Sequence, residues 1–281
     1  AVYMDTVLFS HCHLDHVSGI GAYVGSRNML SLPPPLLVVP KPNLAALETL
    51  LGAFRQLDTS SLPCTLHPAE AGDEVQLPNK SYVAKVFPTD HVVPSQGYLI
   101  YSQKHKLKPE YLGLPGQKIK ELRMAGTEVC TLQQVPEIAF TGDTTADWIT
   151  HPDNADVLKA KVLIMEVTFL DDTRTPEDAR RFGHTHIDDV AALAHMFQNE
   201  AILFIHFSAR FTVQEIETQL DERLPADLRK KVTPLLNGFS LKRKEEKEKK
   251  TPKKEETKVK EEDAANGAGS TNGGGGEAVL V

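Results

Sequence analysis

The stretch Leu8 to Gly19, L-F-S-H-C-H-L-D-H-V-S-G, constrains the fold more than any other part of the chain. It sets His11, His13, Asp15 and His16 within six residues, directly behind the alternating apolar run from Val2 to Phe9. A strand ending at Phe9 can turn His11 and His13 to one side, because alternate side chains of an extended segment share a face. Asp15 and His16 then sit at the turn into the next element. Imidazole and carboxylate together suit Zn2+ or a similar divalent ion. One histidine at a strand end is most often an ordinary surface group; four donors this close are more than one tetrahedral ion needs, so the spacing predicts two metals.

Composition bounds the class of partner. The 281 residues suffice for one large domain or two small ones, and 41% hydrophobic with 25% charged residues is ordinary for a soluble globular protein. Cys12, Cys64 and Cys130 lack paired spacing, which favours a reducing compartment over a disulfide framework. No apolar run approaches the ~18 residues of a membrane span, so no membrane partner is expected. Ala1 to Phe9 contains Asp5 and lacks a basic start, unlike a signal peptide. A net charge of −7 taken alone discourages nucleic acid. Two bound ions would offset about four of those units locally, so net charge does not decide the partner. From Leu241 the chain turns Lys/Glu-rich and then Gly-rich, and residues 241–281 read as a disordered tail.

The body alternates strand and helix signals. Leu36 to Val39 reads as a strand, and a helix from Asn43 carries Leu44, Leu47, Leu50, Leu51 and Phe54 on one face. Thr59 to Val75 reads as loop. The strand Ser81 to Phe87 delivers His91 through P-T-D-H, and Tyr98 to Tyr101 is a further short strand. Lys104 to Arg123 carries Lys106, Lys108 and Lys118, and serves equally well as a solvated loop or as a set of phosphate contacts. The strand Pro136 to Phe140 ends in T-G-D-T, where the Asp143 carboxylate can lie across two ions. Glu166 interrupts the apolar strand Lys161 to Phe169, a costly placement unless it is paired, and His184 is the natural partner. The last core strand, Ala201 to Ile205, delivers His206 in H-F-S-A-R. Ser208 and Arg210 of that motif can face phosphate, or Arg210 can pair with an internal carboxylate.

The pattern H-x-H-x-D-H at a strand end resembles the signature of the metallo-β-lactamase superfamily. V-P-S-Q-G-Y from Val93, E-V-T-F from Glu166, G-H-T-H from Gly183 and H-F-S-A-R from His206 resemble tRNase Z, the endonuclease that trims the 3′ trailer of precursor tRNA, in its short plant and algal form. The resemblance covers Ala1 to about Phe239 and implies an α/β fold, an αββα sandwich, with residues 1–240 as the hydrolase domain. Family members carry several strands before the histidine motif, so the chain reads as N-terminally truncated. The resemblance assigns His11, His13 and His91 to one zinc, Asp15, His16 and His206 to another, and Asp143 to the bridge. It implies two Zn2+ per chain, with Mn2+ as the alternative, and hydroxide between the ions as nucleophile. Cleavage after the discriminator nucleotide would leave a 3′-hydroxyl on the tRNA.

In that scheme Asp15 orients the water or takes its proton, and Glu166 with His184 protonates the leaving oxygen. The chain departs from the family at this pair: Met165 stands for His, Val167 for Ala, and Thr185 and His186 for Ser and Thr. His186 reads as an N-cap neighbour. The interval between His91 and Asp143 implies a short substrate arm at most. The resemblance further implies precursor tRNA and a second copy of the chain as partners, and the cytoplasm as compartment, with nucleus or organelle as alternatives. Three other readings compete: another hydrolase of the superfamily (phosphodiesterase, arylsulfatase or thioesterase), a catalytically dead scaffold, and an inactive truncated tRNase Z.

Overall fold

Along the strand Leu36–Pro40 the side chains divide between two cores. Leu37 and Val39 pack with Phe9, Val24 and Leu51, whereas Val38 meets Ala84, Val86 and Tyr98 of another sheet. The period of two in L-L-V-V-P thus builds both faces of one layer. The same division recurs where Ala84 and Val86 face the first sheet and Val83 and Phe87 face a third core. Two sheets back to back, each with helices on its outer face, follow from these alternations.

The computed structural model describes residues 2–58 and 60–241. Among these, ten strands form two sheets. The first is parallel, in the order β1 (Thr6–Leu8), β2 (Leu36–Pro40), β3 (Thr65–Ala69). The second contains β4 (Glu74–Gln76), β5 (Tyr82–Pro88), β6 (Gln96–Leu107), β7 (Cys130–Phe140), β8 (Val162–Glu166), β9 (Ala201–Ile205) and β10 (Val232–Pro234). Neighbours there follow the order β10-β9-β8-β7-β6-β5-β4, antiparallel from β4 to β7 and parallel from β7 to β10.

Helices α1 (Leu14–Val17), α2 (Ile20–Met29) and α3 (Leu44–Asp58) follow the first two strands. Leu47 and Leu51 of α3 and Ile20 and Val24 of α2 bury against the outer face of the first sheet. On the far side, α6 (Ile187–Ala192) and α7 (Val213–Arg223) bury Ile187, Val190, Ile216 and Leu220 against the second sheet. The remaining helices are α4 (Gly116–Met124), α5 (Pro176–Arg181) and α8 (Ala226–Arg229). The αββα sandwich expected from the sequence is the observed architecture. Its compact unit spans Ala1–Arg243, and the tail expected over 241–281 lies, beyond Leu241, outside the described residues.

Two expectations need correction. The interval read as loop, Thr59 to Val75, holds β3 and β4. β3 is an edge strand, T-L-H-P-A, that exposes Thr65, His67 and Pro68, so no apolar alternation announces it and its proline is tolerated. The lysine-bearing interval is also no simple loop. β6 and β7 continue as a hairpin from Tyr98↔Phe140 out to Leu107↔Cys130, with α4 in the connection. The outer part of this arm, Lys104–Lys106 against Thr131–Gln133, is exposed on both faces and therefore lacks the pattern that marks a half-buried strand. No helix of the described residues is long and apolar enough to cross a membrane.

Candidate metal centre

The parallel strands end on one side of the sandwich, and the loops leaving them carry the polar cluster, as is usual for sites in α/β sheets. β1 leads to Ser10, His11 and His13. β5 leads to His91, β7 to Asp143, β8 ends at Glu166 and β9 is followed by His206. Tyr98, 1% exposed, joins the two sheets at this end: its hydroxyl donates to the Phe9 carbonyl at 2.8 Å and accepts from Gln96 Nε2 at 2.6 Å. The Gln96 N–H donates to the Ser10 carbonyl at 2.9 Å. The V-P-S-Q-G-Y segment thus supports the turn that carries His11.

Gly142, at φ +63°, lets the Asp143 loop approach that turn; a Cβ there would lie 2.4 Å from the Ser10 Cβ. No side chain fits at that distance, and the left-handed backbone disfavours one as well.

Five histidines gather around Asp143. Its Oδ2 lies 3.6 Å from His11 Nε2, 3.6 Å from His16 Nε2 and 3.2 Å from His206 Nε2. His91 Nε2 and His13 Nδ1 stand 3.4 Å apart. Two donor sets result, His11–His13–His91–Asp143 and His16–Asp143–His206, with Asp143 common to both. Bonds of ~2.0–2.1 Å to a four-coordinate ion place its ligands about 3.3 Å from one another, which matches these separations. His11 is 1% exposed and its Nε2 has no hydrogen-bond partner, an atom left for a cation to satisfy. The Gly183 carbonyl holds the His91 proton on Nδ1, at 2.7 Å, and frees Nε2 to ligate.

Asp15 joins neither set. It lies in the first turn of α1, its side chain 75% exposed, with Oδ2 3.5 Å from His16 Nε2. Its distance to His16 is like those within the donor sets, but its carboxylate is not within reach of all members of either set.

The electrostatics suit cation binding. Burial, chiefly, and the neighbouring histidines His16, His91 and His13 hold His11 at about 4, against the opposing pull of Asp143. Burial likewise keeps His91 below its ordinary range despite the Gly183 carbonyl. Both rings are therefore neutral at pH 7, as ligation requires. His184 goes the other way: burial lowers it, but the Glu166 hydrogen bond and charge, with the Asp143 charge, raise it on balance.

Glu166 is fully buried and fully satisfied. Its Oε1 accepts from Thr144 N–H at 3.0 Å and from His184 Nδ1 at 2.8 Å, and its Oε2 accepts both the N–H and the hydroxyl of Thr168. Thr168 and Gly183 escaped sequence reasoning because neither is a ligand type; the signal for Thr168 was its place two residues after a carboxylate in an apolar strand. His186 is the N-cap of α6 itself, accepting Asp188 N–H on Nδ1.

The remaining candidates are more dispersed. Lys106 is exposed on the arm, Lys108 lies 3.8 Å from Glu128, and Lys118 on α4 pairs with Glu121 at 3.3 Å. Ser208 is half-buried beside His206. Arg210 is engaged by Asp171 and Thr173 and lies over the Phe211 ring, the internal pairing weighed from the sequence.

Fold and donor nest together define a protein of the metallo-β-lactamase superfamily, and residues 2–207 match the family model of the Beta-lactamase superfamily domain. Over 239 residues the chain is 45% identical to tRNase Z TRZ1 of Arabidopsis thaliana, covering 85% of each chain. It is 40% identical to the chloroplastic tRNase Z TRZ2 of the same plant, covering 85% of this chain and 67% of that one. The crystal structure of the human short-form tRNase Z shares the fold, with a TM-score of 0.51 at 16% identity over 86% of this chain and 78% of that one. The chain belongs to the tRNase Z family.

Proposed function

We propose that this chain is a metal-dependent endoribonuclease that removes the 3′ trailer of precursor tRNA after the discriminator nucleotide. The observation that carries the reading is the pair of donor sets meeting at Asp143, in a chain closely similar to proteins named tRNase Z. His11, His13 and His91 would hold one cation and His16 and His206 the other, with Asp143 common to both donor sets. Zinc fits a set of five imidazoles and a carboxylate; Mn2+ is the alternative. Two such cations, when bound, supply charge neutralisation at the phosphodiester and a water of lowered pKa.

The chain's own groups manage the protons. Glu166 holds His184 by Nδ1, so Nε2–H is the group that donates to the departing 3′ oxygen. Asp15, exposed beside His16, orients the attacking water or accepts its proton. Lys104, Lys106, Lys120 and Arg123, on the arm and on α4, neutralise tRNA phosphates away from the cut. A homodimer, in which one copy's arm serves the other's site, fits the family reading and is testable by sedimentation.

The test is single-turnover cleavage of a 3′-extended precursor tRNA, with metal content measured on the same sample and Asp143→Ala as control. Cleavage at the discriminator, lost in the variant, with about two ions per chain is the expected result. A fully metallated chain that leaves precursor tRNA intact but hydrolyses small phosphodiesters would overturn the substrate assignment in favour of another hydrolase of the superfamily.

A further inference from the structure

We propose that Thr168 is a positioning residue that fixes which nitrogen His206 presents to the second cation; the inference rests on the two-metal reading above. Thr168 is buried two residues beyond the end of β8. Its hydroxyl lies 2.6 Å from Glu166 Oε2, 2.9 Å from His206 Nδ1 and 3.3 Å from His184 Nδ1. A carboxylate only accepts, and a hydroxyl has one proton. That proton is committed to Glu166, leaving the Thr168 oxygen as acceptor toward the rings. His206 therefore carries its proton on Nδ1, and the lone pair of Nε2 faces Asp143 Oδ2 at 3.2 Å.

The backbone reinforces the assignment. His206 has φ +61°, a left-handed conformation rare for a residue with a side chain. Both flanks of this position are tied to the Thr168 segment: Val167 N–H donates to the Ile205 carbonyl and Ser208 N–H to the Thr168 carbonyl, each at 3.0 Å. One residue thus grips the His206 loop by main chain and His206 itself by side chain. Through the same hydroxyl, the carboxylate that holds His184 also orients a metal ligand.

The experiment compares wild type, T168S and T168V. Zinc affinity is measured by chelator competition and the His206 tautomer of the metal-free wild type by long-range 1H–15N NMR, under mildly alkaline conditions where free imidazole is neutral. Expected are an Nδ1–H tautomer, a second ion bound roughly 10–100-fold more weakly in T168V, an unchanged first ion, and near wild-type binding in T168S. An Nε2–H tautomer, or wild-type affinity for both ions in a folded T168V, would overturn the inference. If T168V does not fold, the tautomer and T168S decide; loss of the second ion in T168S, which keeps the hydroxyl, counts against it. A wild type that binds no ion pair would instead defeat the metal reading, with the tautomer still deciding this one.

Discussion

Gly183 packs closely on His91: the glycine carbonyl accepts the His91 Nδ1–H at 2.7 Å, and a Cβ on Gly183 would lie 2.7 Å from that same nitrogen and 2.8 Å from the Val92 backbone nitrogen. Gly183 also sits at φ +75°, where a side chain adds about 1 kcal/mol of strain. Gly183→Ala is expected to displace the His91 ring and weaken binding at the His11–His13–His91 set by tenfold or so, with the second set less affected. Zinc titration of the purified variant checks this; equal affinity at both sets would show that the loop yields freely.

Removing His184, the proposed proton donor, is expected to slow chemistry without removing metal. His184→Ala should lower the single-turnover rate by about 10²–10⁴-fold while two ions remain bound. Because the Glu166 contact holds His184 above its ordinary range against the effect of burial, the imidazolium persists to higher pH, and the rate falls as pH rises through that raised value. Glu166→Gln lowers it, so the falling limb moves to lower pH. A pH–rate profile with the limb unmoved would sink the pairing.

Metal removal should destabilise the fold and not merely the activity. Chelation leaves five imidazoles and a buried aspartate without their common partner, and an ion at roughly 100 times its Kd contributes about 2.7 kcal/mol. Since His11 accepts a proton only near 4, proton competition at that ligand begins well below the ordinary histidine range. Thermal melts with and without zinc, across mildly acid pH, test both statements; a melting temperature indifferent to zinc would count against a resident metal.

Tyr98→Phe is expected to cost about 1–3 kcal/mol, because it leaves the buried Phe9 carbonyl and Gln96 amide short of a partner. Urea denaturation measures it. The loss should appear in stability first and in metal affinity second, since the Ser10–His11 turn hangs from the same bond network.

Charge reversal on the arm should separate binding from chemistry. Changing Lys106 and Lys120 together to Glu is expected to raise KM for precursor tRNA and flatten its salt dependence, leaving metal content and activity on small phosphodiesters unchanged. A KM insensitive to the change would make the arm a solvated appendage.

Legibility in the sequence followed burial. β2, β5, β8 and β9 announce themselves because at least one face of each is apolar, and the donor residues stand out because imidazole and carboxylate cluster directly after such strands. Asp143 could be singled out from one T-G-D-T turn for that reason. β3 and the outer arm were hidden because exposed strands need no alternation. Asp15 was placed among the ligands by its spacing and by the family resemblance; in the structure the helix turn beginning at Leu14 leaves its side chain exposed beside His16, a direction that spacing does not encode. Thr168 could be located from its place beside Glu166, but its role could not: that lies in where one proton goes, which only distances reveal.

The donor nest is divided between sheets: His11, His13 and His16 follow β1, while His91, Asp143 and His206 follow strands of the second sheet. His206 follows β9, late in the described unit, so the second donor set is complete only once that strand is in place, whereas the first set needs nothing beyond Asp143. An ion bound by both sheets' donors would act as a clasp across the seam. A protease nick in the β6–β7 arm would cut the chain without releasing its ends.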